Sequence, residues 1–102
     1  MPVRDGTLRR TDVPSEQQLR SELHAEFTNP KDSGEPDIII ERPSPGTIHL
    51  YVIWSRWEGL EQVVRSRIIL DAFEESHEAA EVVKVTVAMG LVPEESRRIG
   101  IA

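Results

Sequence analysis

Residues 47–60, TIHLYVIWSRWEGL, carry both tryptophans of the chain and decide how the rest is read. Ile48, Leu50, Tyr51, Val52, Ile53 and Trp54 leave almost no polar position between Thr47 and Trp54. A run this apolar is a strand covered on both faces, or the central strand of a sheet. At Ser55 the character changes, and Arg56-Trp57-Glu58-Gly59 is short, polar and closed by glycine, as a turn is. The stretch therefore predicts a core strand ending in a buried Trp54, then a junction on which Trp57 is partly exposed.

Upstream, Asp37-Ile38-Ile39-Ile40-Glu41-Arg42 is β-rich and is followed by the turn residues Pro43-Ser44-Pro45-Gly46. With 47–54 it predicts a β-hairpin. An uncovered first strand offers an edge for pairing with another chain, because Pro43 and Pro45 block only its end. Earlier still, Leu19, Leu23 and Phe27 recur at i, i+4, i+8 and predict a one-sided surface helix. A start near Val13-Pro14-Ser15 is expected, with proline in the first turn and a serine or aspartate as the cap, and Asn29-Pro30 must end it. TNPKDSGEP, 28–36, is a loop by composition.

Downstream, Leu60, Val63 and Val64 suit a helical turn, while Ile69, Ala72, Phe73, Ser76 and Ala80 form a second stripe flanked by Ile68 and Leu70. The two stripes do not share a phase, which predicts a bend near Arg65-Ser66-Arg67 with Ser66 capping the second piece. Val83, Val85, Val87 and Met89 alternate with Lys84, Thr86 and Ala88, a strand with one face packed and the other in water, ended by Gly90. Pro93-Glu94-Glu95 with Arg97-Arg98 predicts a closing helix whose charges match both dipole ends. The expected fold class is α+β, a small three-stranded sheet with helices on one face in the order α-β-β-α-α-β-α. The expected organisation is a flexible leader over 1–12 and a single domain over 13–102.

His49 with its apolar strand, Ser55-Arg56-Trp57-Glu58-Gly59, Arg65-Ser66-Arg67-Ile68 and Pro93-Glu94-Glu95 together resemble the BolA-like family, over roughly residues 45–98. The resemblance implies a type II KH-like fold. That family is associated with monothiol glutaredoxins and a shared iron-sulfur cluster, held by the histidine of an Arg-His-Arg helix start and by a second Cys or His in the hairpin. Ser66 stands at the first position here, and Arg42-Pro43-Ser44-Pro45-Gly46 supplies neither ligand type. No cofactor is expected. A KH-type nucleic-acid domain needs a Gly-x-x-Gly loop, for which only Gly59 is available.

Eighteen acidic and twelve basic side chains give a net charge of −6, which repels a phosphate backbone unless the cations cluster on one face. The absence of cysteine excludes disulfides and thiolate chemistry within the chain. His24, His49 and His77 lack metal-site spacing, and Glu74, Glu75, Glu78 and Glu81 form a solvated helix face rather than a carboxylate pair for catalysis. No nucleophile or nucleotide motif occurs, so no enzyme activity and no metal are expected. No run approaches the roughly 20 apolar residues of a membrane span, and a cytoplasmic location is expected.

The remaining candidates are Arg56, Trp57, Arg65 and Arg67, which surround the strand-to-helix junction and belong to types enriched in interfaces. They predict a non-catalytic interaction domain, monomeric or weakly dimeric, with an unidentified protein as partner. The alternative is a nucleic-acid-binding module on a KH-like fold, in which the arginines meet phosphate. Against both stands pairing within the helix, Glu61 with Arg65 and Arg67 with Asp71, each worth about 0.2–0.5 kcal/mol.

Overall fold

The computed structural model describes residues 15–101, so the expected leader over 1–12 and the first two residues of the expected domain lie outside the described part. The elements are α1 (Glu16–Thr28), β1 (Asp37–Ser44), β2 (Thr47–Ile53), a 3₁₀ turn (Ser55–Trp57), α2 (Gln62–Ser76), α3 (Ala79–Val82), β3 (Val85–Leu91) and α4 (Pro93–Ile99). This is an α+β fold in the expected order. The sheet runs β1-β2-β3, with β1 antiparallel and β3 parallel to β2. The apolar second strand is thus central, as its composition requires.

Local chemistry sets the first helix. Ser15 Oγ accepts the Gln18 N–H at 3.1 Å, satisfying one of the donors that a helix start leaves open. The helix stops at Thr28, one residue before Asn29-Pro30. Its stripe buries Leu19 and Leu23 completely and rests Phe27 on the same core.

The long helix corrects one expectation. α2 is continuous from Gln62 to Ser76, and the helical segment divides at His77-Glu78, not at Ser66. Its buried positions are Arg65, Ile68, Ile69, Ala72 and Phe73, which form one unbroken i, i+3, i+4, i+7, i+8 stripe. Reading Arg65 as a solvent residue broke the phase. Val63, on the other side, is 65% exposed.

Register assigns the two faces of the sheet, because paired residues point the same way and neighbours alternate. Ile38 pairs with Val52 and Ile40 with Leu50, and these face the helices together with Ile48. Asp37, Ile39 and Glu41 pair with Ile53, Tyr51 and His49 on the opposite side. Between the pairs Ile48–Val85 and His49–Val87 the register slips by one residue, so Thr86 is a bulge. That slip corrects the reading of β3 as one packed face. Val85, Ala88 and Gly90 look toward the helices, whereas Val87 and Met89 lie beside His49 and Tyr51 on the open side.

Gly90 also does not end β3, which continues through Leu91. A Cβ at Gly90 would sit 2.8 Å from the Trp57 ring and 2.9 Å from Arg65 Cβ. Glycine is required there by close approach, not by a turn.

Candidate interaction surface

The junction residues are drawn into the fold. Trp57 is wholly buried, and its indole Nε1–H donates to the Val52 carbonyl at 2.9 Å. Its ring meets Trp54 edge-on, with centroids 5.2 Å apart. The expectation that Trp57 is partly exposed is therefore overturned. A small core with few aromatics needs both indoles, and the 3₁₀ turn folds the second one back under the strand end.

Arg65 is buried as well. Its Nε–H donates to the Leu60 carbonyl at 2.8 Å, and Nη1 donates to the Gly90 carbonyl at 3.0 Å and to Glu95 Oε1 at 2.9 Å. The same Glu95 oxygen accepts the Val92 N–H at 2.9 Å at the start of α4. These contacts, the Val92 bond first and Arg65 second, hold the Glu95 carboxyl below the usual glutamate range. Arg56 pairs with Glu22 at 2.7 Å and lies 5.5 Å over the Trp54 ring, and Arg67 pairs with Glu16 at 3.0 Å. The carboxylates that meet Arg65 and Arg67 are on α4 and α1, far away in sequence, and not the helix neighbours Glu61 and Asp71. Each arginine thus clamps one element to another. Of these three arginines, Arg56 and Arg67 keep exposed guanidinium surface and Arg65 does not.

Chemistry of a different kind separates the two edges of the sheet. On β3 the Leu91 carbonyl accepts the Trp54 N–H at 2.8 Å, so the backbone groups of Gly90 and Ala88 point outward. Side chains of α2 occupy them. Gln62 Nε2 donates to the Gly90 carbonyl at 2.9 Å while Gln62 Oε1 accepts the Gly90 N–H at 2.8 Å. Ser66 Oγ donates to the Ala88 carbonyl at 2.6 Å. Ser66 is an edge seal, not the helix cap expected of it.

β1 receives no such cover. It is the other edge of the sheet, and among the described residues no side chain or loop hydrogen-bonds to its outer backbone. Ile40, in its middle, is 42% exposed. Beside it lies a cleft of about 630 Å³, within the size range of ligand sites, walled by Phe27, Ile38, Ile40 and His77.

The 29–36 loop forms the far wall and is fixed at both ends. The buried Glu26 accepts from Lys31 Nζ at 2.7 Å and from the Lys31 N–H at 2.9 Å, which keeps its carboxyl below the ordinary range. Glu35 Oε1 accepts from Ser55 N–H at 2.8 Å and Ser55 Oγ at 2.7 Å. His77 stacks on Phe73 with centroids 3.9 Å apart and meets Phe27 edge-on, so the aromatic floor is assembled before any ligand arrives. Charge within the cleft is mainly negative, with Glu26, Asp32 and Glu35 against Lys31.

Sequence reasoning flagged the free β1 edge but missed the cleft and the β3 seal. Nothing in the spacing of Gln62, Ser66 and Gly90 advertises contacts across more than twenty residues. Among the described residues no cluster of His, Asp and Glu has the arrangement of a metal site, and no helix is long and apolar enough to cross a membrane. Comparison with known proteins finds no matching family model, no similar curated protein and no similar solved structure.

Proposed function

We propose that this chain is a non-catalytic protein-interaction domain that takes an extended segment of its partner as a fourth strand on β1. The observation that carries the reading is the asymmetry of the sheet: β3 is sealed by Gln62, Ser66 and Arg65, while β1 is open along a preformed cleft with one wall of Phe27, Ile38, Ile40 and His77. A bare edge offers alternate N–H and C=O groups to a partner backbone, and the neighbouring cleft offers a place for every second side chain. Backbone pairing supplies affinity and the cleft supplies selectivity.

The type II KH-like arrangement and the BolA-like resemblance stay part of this proposal as a statement about fold. The element order supports them. Cluster sharing gains no support, since the Ser66 hydroxyl is engaged with Ala88. The nucleic-acid alternative is weakened because Arg56, Arg65 and Arg67 each face a carboxylate and the chain as a whole is acidic.

Peptide display against the full chain tests the proposal. Enriched peptides should lose binding to an Ile40→Lys variant that unfolds at the same urea concentration as the parent. No enrichment, or enriched peptides indifferent to Ile40→Lys, would overturn it.

A further inference from the structure

Resting on the β1 reading above, we infer that the segment β1 accepts is an alternating apolar and cationic strand, with its apolar side chains in the cleft and its lysines or arginines on the opposite side of the sheet. The two faces of β1 have different chemistry. Ile38 and Ile40 turn toward the helices, where Phe27 and His77 wall the cleft. Asp37 and Glu41 turn the other way, four residues apart and both exposed. A strand laid along β1 has the same two-residue period, so its successive side chains meet these two environments in turn.

Electrostatics fixes the sign of the polar half. Asp37 has no ion-pair partner among the described residues, and Glu41 has only the longer approach of His49 Nδ1 at 3.9 Å. Lys31, in the cleft wall, is already engaged by Glu26, and Arg42, the next residue after Glu41, by Glu81. Opposite-charge pairs across neighbouring strands are favourable and like charges directly opposite are unfavourable, so an acidic strand is rejected at the same positions that attract a basic one. The apolar half follows from the cleft, where a leucine or valine side chain would cover the exposed part of Ile40.

The probes are three eight-residue synthetic peptides, matching the eight residues of β1, in which leucine alternates with lysine, glutamine or glutamate. Fluorescence anisotropy is measured with the full chain. The lysine peptide should bind roughly tenfold tighter than the glutamine peptide, the effect of two exposed ion pairs, and the glutamate peptide weakest. A double variant, Asp37→Asn with Glu41→Gln, should abolish the preference for lysine and leave the glutamine peptide unchanged. Because both side chains are exposed, this variant should unfold with the parent. Equal binding of the three peptides, all lost in Ile40→Lys, would overturn the charge assignment and leave strand docking intact. Binding that ignores Ile40→Lys, or no binding at all, would overturn both. A concentration-dependent dimer broken by Ile40→Lys would place a second copy on the edge and also overturn the inference.

Discussion

Gln62 holds Gly90 by both of its backbone polar groups, donating to the carbonyl at 2.9 Å and accepting the N–H at 2.8 Å. A side-chain amide here stands where a fourth strand would pair. The sheet is therefore closed on one side by its own helix, and its unused hydrogen-bonding capacity is concentrated on β1.

Replacing Gln62 with leucine removes the acceptor for the Gly90 N–H, while Arg65 still serves the carbonyl. The expected loss is about 1–3 kcal/mol, the cost of one buried donor left without a partner. Urea denaturation measures it. Sedimentation should also show increased self-association, since β3 becomes a second open edge; an unchanged midpoint would mean that water replaces the amide without cost.

Gly90→Ala places a methyl group against the Trp57 ring and Arg65 Cβ, both within 3 Å. Neither neighbour is free to retreat, because Trp57 is fully enclosed and Arg65 is tied at three points. A destabilisation of about 1–3 kcal/mol is expected from overpacking. Partial recovery in a Gly90→Ala, Trp57→Leu double variant, relative to the two single changes, would identify the indole as the obstacle.

Trp57→Ala should cost about 3–5 kcal/mol, the range for emptying a large aromatic site in a core. Trp57→Phe retains most of the packing but loses the indole hydrogen bond to the Val52 carbonyl, so it should fall between. Iodide should quench the tryptophan fluorescence of the native protein weakly, because Trp54 is only 3% exposed and Trp57 not at all. Strong quenching would contradict the buried junction.

Acid should weaken the fold through particular carboxylates. Glu95 is held below its ordinary range by the Val92 N–H and then by Arg65, and Glu26 by the Lys31 ammonium and N–H. An unfolded glutamate takes up its proton near pH 4.3, and these folded ones only at lower pH. Their stabilisation is thus complete above that value and lost as pH falls through the folded range. Glu95→Gln should be less stable than the parent at pH 7, and the gap should narrow toward pH 3. A gap that does not change with pH would remove Glu95 from the acid response.

The strands, α1, the central place of β2 and the closing helix were legible because each rests on a short-range signal: an apolar run, an i, i+4 stripe, Pro93 at a helix start. The errors share a cause. Arg65 reads as polar in any periodicity argument, yet its stem lies in the core and its guanidinium is satisfied by carbonyls of residues 60 and 90 and a carboxylate of residue 95. Trp57 follows the strand by three residues, and only the 3₁₀ turn decides which way its ring points. The Thr86 bulge reverses half of β3 without any local mark in an alternating sequence. The candidate site was legible only as an unblocked edge, since the cleft beside it is made by a loop whose shape depends on Glu26 meeting Lys31 and Glu35 meeting Ser55.

Residue-by-residue amide hydrogen exchange, with and without the leucine-lysine peptide, addresses strand docking on β1 most directly. The account predicts that alternate amides between Ile38 and Arg42 slow markedly on binding, while Ala88 and Gly90 on the sealed edge do not change. Bound peptide that leaves β1 exchange untouched, or that protects the surface of Arg56 and Arg67 instead, would contradict it.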